Sequence, residues 1–312
     1  MTSAPLPRLA QTGRAVAIST IAGLGVYRPA AQVPLASRLT GSDCTGVSYR
    51  VQAAHGLTTA SLAAGAARAA LQASAVRKQD LGMIIVGTTT PDVLWPTTAC
   101  LLQTELDLPM IASFDLYAAE TSLLAALNVA TRYVTAGARA VLVVGAESDN
   151  QLVDLPGQGG AVHGRAASAA VITAGGGQTG LLSTLAGGAA KSDANGDLQD
   201  RTLLRGLADG VAECLAKARL GLDEVDLVIG EQSAPEITRA WAQANGVPLG
   251  RLLLDPARYG SLLAAAPLSV LHDAVRQGRL QTGMTALMLA CGSGPSWAMT
   301  CLRWGGGGLA EW

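Results

Sequence analysis

Hydrophobic positions along the chain fall into two kinds of segment. Short apolar runs with the length and composition of buried strands occupy residues 15–26, 81–90, 111–116, 140–148, 166–174, 226–232, 251–255 and 283–294. Alanine-rich amphipathic stretches of helical length lie between them, at residues 59–73, 120–136, 203–219, 235–245 and 262–277. Strands that alternate with helices in this way predict a layered α/β protein.

The pattern also repeats weakly within the chain. Residues 123–148 and 262–294 each contain a helix, a basic residue with glycine, a strand and a glycine-rich turn, in that order. The runs 84–90 and 227–233 each end a buried strand in a polar turn. The repeat predicts two structurally similar halves, and polar residues at the strand ends of both halves are expected to converge on one central site.

The predicted halves are residues 15–175 and 176–312, after an N-terminal tail at residues 1–14. Their boundary is expected in the glycine-rich segment 174–200, which has the composition of a loop. The apolar run within residues 1–26 is short and no convincing cleavage site follows it, so it is interpreted as a first strand rather than a secretion signal.

Composition narrows the class of protein. The 312 residues are 49% hydrophobic, 14% charged and only 4% aromatic, with 37 glycines, so the interior must consist of aliphatic side chains and close backbone contacts. A net charge of −1 and scattered Lys and Arg argue against a face that binds nucleic acid. Charge, Gly or Pro interrupts the apolar runs before the ~20 residues that a membrane span needs, which predicts a soluble protein.

Cysteine and histidine usage gives little support to metal or disulfide chemistry. The five cysteines contain no CxxC pair, so a reducing cytoplasm is expected and no disulfide framework is predicted. His55, His163 and His272 are isolated in sequence, and neither a metal nor another cofactor is predicted. The chain also lacks the G-x-S-x-G elbow of a serine hydrolase; residues 291–295 come nearest.

Glu120 is the unusual residue in the segment "FDLYAAETSLLAAL" (114–127), where a predicted strand passes into an apolar helix. One interpretation is a first-turn acid that the helix dipole stabilises. The other is a site carboxylate, because an ionised group among apolar neighbours needs partners or a raised pKa.

Nearly the whole chain resembles the β-ketoacyl-acyl-carrier-protein synthase III branch of the thiolase-like condensing enzymes. The similar segments are "IAGLGVYRP" (21–29), "TGVSYR" (45–50), "GTTTPDVLWPTTACLLQTEL" (87–106), "FDLYAAETSLLAALNVA" (114–130), "DEVDLVIGEQSAPEI" (223–237) and "ARYGSLLAAAPLSVLHDAVRQGRL" (257–280). The resemblance implies a thiolase fold with five α-β-α-β-α layers from two pseudo-equivalent halves, and usually a homodimer.

The family's three catalytic positions are all occupied by other residues. The nucleophilic cysteine of "AACAG" corresponds to Glu120 in "AAETS", and the histidine of "PHQAN" corresponds to Glu231 in "GEQSA". The asparagine of "GNTSAAS" corresponds to Ser261 in "GSLLAAA". Glu120, Glu231 and Ser261 are therefore the candidate catalytic residues, and the thiol nucleophile is absent from its usual position.

The resemblance also assigns a substrate pocket. Trp95 matches the aromatic residue that reaches across the dimer into the partner's acyl pocket, although simple interface packing would equally explain it. Ala234 and Glu236 follow Glu231, and Glu236 reverses the charge of the basic residue associated with carrier docking. Cys44 stands at the position of the arginine that clamps CoA, so the grip on CoA is expected to be weaker.

Two main hypotheses of function follow, and whether the chain is an enzyme stays open. The first is a degenerate, non-catalytic partner subunit in specialised acyl or polyketide metabolism, in a homodimer or in a heterodimer with an intact synthase. The alternative is an acyltransferase, decarboxylase or thioester hydrolase that acts on an acyl thioester of CoA or acyl carrier protein. In that case Glu120 and Glu231 would share a proton as an acid–base pair. A protein that binds an acyl ligand without reaction is a third possibility.

Overall fold

The computed structural model describes residues 19–29, 32–34, 49–51, 57–148, 165–175, 177–189, 197–259, 262–292 and 295–312. The strands are β1 (Ser19–Tyr27), β2 (Gln32–Pro34), β3 (Tyr49–Val51), β4 (Leu81–Gly87), β5 (Ala112–Leu116), β6 (Ala140–Glu147), β7 (Ala166–Ala174), β8 (Gly180–Gly188), β9 (Leu227–Ile229), β10 (Leu252–Leu253), β11 (Thr285–Gly292), β12 (Ser296–Arg303) and β13 (Gly308–Glu311). The helices are α1 (Thr59–Ser74), α2 (Thr98–Glu105), α3 (Ser122–Thr135), α4 (Asp197–Ala218), α5 (Pro235–Ala244), α6 (Pro256–Tyr259) and α7 (Ala266–Arg276).

The strands form two large sheets. The first has the order β13-β1-β7-β6-β4-β5, and the second has the order β10-β9-β11-β12-β8. In the first sheet β4 pairs in parallel with β5 and β6, and in the second β9 pairs in parallel with β10 and β11. Strands β2 and β3 pair separately.

Three buried apolar clusters show how the layers stack. The first lies between the two sheets and contains α3 and α7, the second lies between the first sheet and helices α1 and α2, and the third lies between the second sheet and helices α4 and α5. Alternate side chains of one strand serve opposite layers, as when Met83 and Ile85 face the centre while Ile84 and Val86 face α1. The predicted five α-β-α-β-α layers are confirmed.

The prediction of a loop across the glycine-rich segment 174–200 is wrong, because β8 lies within it. Gly187 of β8 and Gly206 of α4 make room for the ring of Trp297: a Cβ at Gly187 would lie 2.7 Å from Trp297 Nε1, and one at Gly206 would lie 2.6 Å from Trp297 Cδ2. Helix α2 and strands β12 and β13 were also absent from the predicted elements. Strand β13, near the end of the chain, pairs with β1 in the first sheet, although its residues were assigned to the second half. The domain boundaries stay a prediction.

Two short 3-10 turns place the site at the centre of the fold. The turn Ala119–Thr121 precedes α3 and the turn Leu263–Ala265 precedes α7. Each begins with a residue in the left-handed region, Ala119 at φ 49° and Leu263 at φ 45°. Such a conformation costs a non-glycine residue about 1–2 kcal/mol, so the surrounding packing must hold both turns in place.

Candidate functional site

Glu120 lies in the turn Ala119–Thr121, between the edge strand β5 and the central helix α3. The side chain of Ser122 closes this turn, because its hydroxyl donates to Ala119 O at 2.6 Å and accepts from Ala118 N at 2.9 Å. Glu120 is half-buried. The local sequence "AAETS" thus folds into a tight turn that presents a carboxylate at the start of α3.

Gly292, the last residue of β11, lies directly against the side chain of Glu120. A Cβ built on Gly292 would overlap Oε2, Cδ and Cγ of Glu120. A glycine is therefore required for the Glu120 carboxyl to occupy this position. Because β11 belongs to the second sheet and Glu120 follows a strand of the first, the site is built from both halves.

Glu231 lies just after β9 and is only 2% exposed. Its Oε1 accepts hydrogen bonds from Ser233 N at 3.0 Å and Ser233 Oγ at 2.8 Å, while its own N–H donates to Thr238 Oγ1 at 3.2 Å. Burial, together with the smaller effect of the charge of Glu120, raises the pKa of Glu231 to about 7 against the hydrogen bonds from Ser233. Glu231 therefore retains its proton through much of the range below neutral pH.

The structure brings Glu120 and Glu231 into one electrostatic environment. Both Ser233 donors point at Oε1 of Glu231, so a proton on this carboxyl is expected on Oε2. Glu231 can hold and transfer a proton near neutral pH, which is the chemistry of a general acid or base rather than of a thiol nucleophile.

Three of the remaining predicted site residues are in the described part of the chain. Ala234 is half-buried immediately before α5, and Glu236 is exposed in the first turn of that helix. Trp95 is 82% exposed, so it does not line the buried carboxyls within a single chain. Ser261 lies outside the described residues, as do Cys44, His55 and His163.

Gln232 was not singled out from the sequence, although it shapes the turn that carries Glu231. It is 2% exposed, and its side-chain amide donates to Gly230 O at 2.7 Å and to Leu253 O at 3.2 Å. Its Oε1 accepts from Asp255 N at 2.9 Å. The turn after β9 is thereby joined to the segment after β10, which leads toward the second central turn.

Glu147, the last residue of β6, is a third buried carboxylate that sequence reasoning missed. It accepts hydrogen bonds from Thr89 N at 3.0 Å, Thr89 Oγ1 at 2.8 Å and Thr90 Oγ1 at 2.9 Å, and also from the N–H of Ala264. Burial raises the pKa of Glu147 to about 7 in spite of these donors. Its only sequence signal was an acid at the end of an otherwise apolar strand.

His272 is not isolated, contrary to the expectation from sequence. Its Nδ1 lies 3.3 Å from Oδ1 of the buried Asp273, which also pairs with Arg28 at 3.1 Å and Arg258 at 2.9 Å and accepts from the hydroxyl of Tyr259 at 2.9 Å. Although burial acts to raise it, the contacts with His272 and Arg28 hold the pKa of Asp273 below its usual range. This ion-pair cluster joins β1, α6 and α7, and its role in the fold is structural.

None of the four described cysteines lies in the turn that carries Glu120. Cys214, Cys291 and Cys301 belong to the outer core between the second sheet and α4 and α5. Burial raises the pKa of Cys214, and raises that of Cys301 to about 12, which makes these thiols poor nucleophiles. Cys100 is half-buried near the start of α2, 3.4 Å from Ser113 Oγ, and hydrogen bonds from Ser113 and Thr97 lower its pKa.

Among the described residues, no group of three or more His, Cys, Asp or Glu side chains has an arrangement that could hold a metal ion. Within the same part of the chain, every helix is too short or too polar to cross a membrane.

Two family models match the chain. The model of 3-oxoacyl-[acyl-carrier-protein (ACP)] synthase III matches residues 114–190, and the model of its C-terminal part matches residues 215–304. The first match includes the turn with Glu120, and the second includes Glu231 and Gly292.

Characterised relatives and solved structures agree with these matches. The chain is 33% identical to β-ketoacyl-[acyl-carrier-protein] synthase III of Xylella fastidiosa, covering 91% of this chain and 98% of the relative. It is 32% identical to the protein of the same name from Methylococcus capsulatus, covering 92% and 99%. The crystal structure of 3-oxoacyl-[acyl-carrier-protein] synthase III from Aquifex aeolicus superposes with a TM-score of 0.84 at 30% identity, covering 92% of this chain and all of that one. With its five layers, its central strand–helix turns and this similarity over nearly its full length, the chain belongs to the β-ketoacyl-[acyl-carrier-protein] synthase III family of thiolase-like condensing enzymes.

Proposed function

We propose that this chain is a non-catalytic partner subunit that pairs with an intact synthase of the same family in specialised acyl or polyketide metabolism. The observation that carries the proposal is an exposed apolar surface around the edge strand β5, in a chain whose central turn presents a carboxylate. A carboxylate holds an acyl group only as a reactive anhydride, so it is a poor substitute for a thiolate in acyl transfer.

The partner surface consists of large apolar side chains from segments that adjoin β5. Met110 precedes this strand and is 98% exposed, and Tyr117 follows it and is 75% exposed. Leu94 and Trp95 lie in the connection between β4 and α2, which both pack against β5, and they are 76% and 82% exposed. Exposed apolar side chains beside the edge of a sheet favour association with another chain.

The partner proposal is tested by co-expression of this chain with an intact synthase III and native mass spectrometry of the purified material. We expect a heterodimer that Leu94→Asp disrupts, since the substitution places a charge on the partner surface. Leu249→Asp is the matched control, because Leu249 is 80% exposed but lies in the second half near β10. A chain that remains monomeric with every candidate synthase, or equal loss in both variants, would contradict the proposal.

The carboxyl pair supports a second candidate function, a reaction on an acyl thioester of CoA or acyl carrier protein. The supporting observation is the raised pKa of Glu231, which burial and the charge of Glu120 together produce. A carboxyl that titrates near neutral pH can serve as general acid or base in thioester hydrolysis, decarboxylation or acyl transfer.

The two candidates differ in what the isolated chain does. With a panel of acyl-CoA and acyl-carrier thioesters, the partner subunit alone should release no thiol and gain no acyl adduct. Thiol release that Glu120→Gln abolishes would favour the second candidate instead. Glu236→Gln is the control for this assay, since Glu236 is exposed and removed from the buried pair.

A further inference from the structure

We propose that Glu147 is a positioning residue that holds the partner surface and the central site in one arrangement. On one side its carboxylate fixes the Trp95 loop (residues 88–97), and on the other it fixes the turn Leu263–Ala265. The inference rests on the proposed function in that it takes the Trp95 loop as part of a partner surface. Glu147 is given no contact with a substrate.

Residues near the start of the Trp95 loop donate hydrogen bonds to the carboxylate of Glu147. Thr89 donates to it through its backbone N–H at 3.0 and 3.2 Å and through its hydroxyl at 2.8 Å. The hydroxyl of Thr90 donates at 2.9 Å and in turn accepts from Ser148 N at 2.9 Å. Two consecutive loop residues are therefore bound to the end of β6 through a carboxyl group that has no solvent access.

Two further carboxylates hold the rest of the Trp95 loop. Asp92 accepts from the first two amides of α1 at 2.6 and 2.9 Å, and Asp115 on β5 accepts from the first two amides of α2 at 2.7 Å each. Between these attachments the apolar side chains are exposed: Val93 by 43%, Leu94 by 76% and Trp95 by 82%. The loop is thus attached at both ends, and it presents the side chains of Leu94 and Trp95 mostly exposed between these attachments.

The same carboxylate reaches the second half of the protein. The N–H of Ala264, in the middle of the turn Leu263–Ala265, donates to Glu147. Gly145, two residues before Glu147, lies so close to this turn that a Cβ there would overlap Ala264 O. The turn precedes α7, so Glu147 links this central turn of the second half to the Trp95 loop.

A carboxyl group at this position satisfies donors that would otherwise be buried without a partner. The amides of Thr89 and Ala264 approach it from two different segments, and buried amides without acceptors are costly. Removing the side chain should release both segments together. Glutamine keeps the shape and an acceptor, and the hydroxyls of Thr89 and Thr90 can rotate to accept from its amide.

The proposal is tested with Glu147→Ala and Glu147→Gln in the full chain labelled with 5-fluorotryptophan. The five tryptophans give five ¹⁹F resonances, and Trp95→Phe identifies that of Trp95. In Glu147→Ala we expect the Trp95 resonance to shift or broaden and the amides of residues 262–266 to exchange faster with deuterium. We also expect the dissociation constant for the partner to rise by about tenfold or more, the loss typical of a misplaced interface anchor. Glu147→Gln should restore most of each property.

Leu207→Ala is the control for general destabilisation, since Leu207 of α4 is fully buried in the outer core. A control variant that changes the Trp95 resonance and the exchange at 262–266 as much as Glu147→Ala does would overturn the positioning role. So would a Glu147→Ala protein in which neither property changes. If both change as expected but the wild-type chain binds no partner, the positioning role stands and the proposed function fails.

Discussion

The buried carboxyl of Glu231 should make the protein less stable as the pH rises toward neutrality. In the unfolded chain its pKa returns to the ordinary value of 4.5, whereas in the folded protein burial and the charge of Glu120 raise it to about 7. Between these two values the folded state holds a proton that the unfolded state has lost. The free energy of unfolding therefore falls as the pH rises from about 4.5 to about 7, and this contribution is constant at higher pH.

The size of the effect follows from the same two pKa values. A difference of about 2.5 pKa units at about 1.4 kcal/mol per unit corresponds to roughly 3 kcal/mol. Glu231→Gln replaces the carboxyl by a neutral group that can still accept from Ser233 N and Ser233 Oγ. We expect the variant to match the wild type near pH 4.5 and to exceed its stability by up to about 3 kcal/mol at pH 8.

Urea unfolding measured at half-unit steps from pH 4.5 to pH 8.5 tests this expectation. Glu147 has a similarly raised pKa, so Glu231→Gln should remove only part of the pH dependence of the wild type. Glu236→Gln, at an exposed carboxyl, should leave the profile unchanged. If the Glu231→Gln profile runs parallel to that of the wild type over the whole range, Glu231 has an ordinary pKa and the argument from burial and charge coupling is refuted.

Two further predictions concern glycines that leave room for a neighbour. Gly292→Ala should displace the Glu120 carboxyl from its position against β11 and so weaken the pH dependence of the free energy of unfolding, measured by the same urea series. An unchanged slope would show that the Glu120 carboxyl stays near Glu231. Gly206→Ala should destabilise the fold by about 1–3 kcal/mol through overlap with the Trp297 ring. Gly250→Ala, which meets nothing within 4 Å, should change the unfolding midpoint little, and equal midpoints for these two variants would contradict the packing argument.

Much of the fold could be predicted because the pattern of apolar residues in a segment matches the position of that segment among the layers. Residues 81–87 and 140–146 contain no polar side chain and become β4 and most of β6, which have helices on both faces. The segment 120–136 has a helical pattern and becomes α3. Strand β8 could not be predicted in this way, since its glycines are typical of a loop until the ring of Trp297, more than a hundred residues later, is placed against them.

In the candidate site too, residues with a local sequence signal could be predicted, whereas residues defined by distant contacts could not. Glu120 was recognisable because a carboxylate stands in an apolar strand–helix segment, and the family resemblance implied that Glu231 lies opposite it. Glu147 was not recognised, because its significance depends on Thr89 and on Ala264, which are distant in sequence and join it only in the folded protein. A pattern along the chain carries no information about such a three-way contact.

The central strands of the two halves, β6 and β11, end on residues of opposite kinds, a buried carboxyl group and a glycine. Strands β6 and β11 are both eight residues long; β6 ends on Glu147, whose carboxyl reaches the second half, whereas β11 ends on Gly292, which admits Glu120 from the first. Burial keeps the carboxyls of Glu147 and Glu231 protonated at pH values where an exposed glutamate has lost its proton, which costs stability at and above pH 7. Glu147 offsets this cost by binding two segments together, so a structural role accounts for it. Glu231 accepts hydrogen bonds mainly from Ser233 in its own turn, so no comparable link between segments offsets the loss of stability that it causes. We infer that Glu231 serves either the complex with the partner or proton transfer. The heterodimer assay and the thiol-release assay distinguish these two roles.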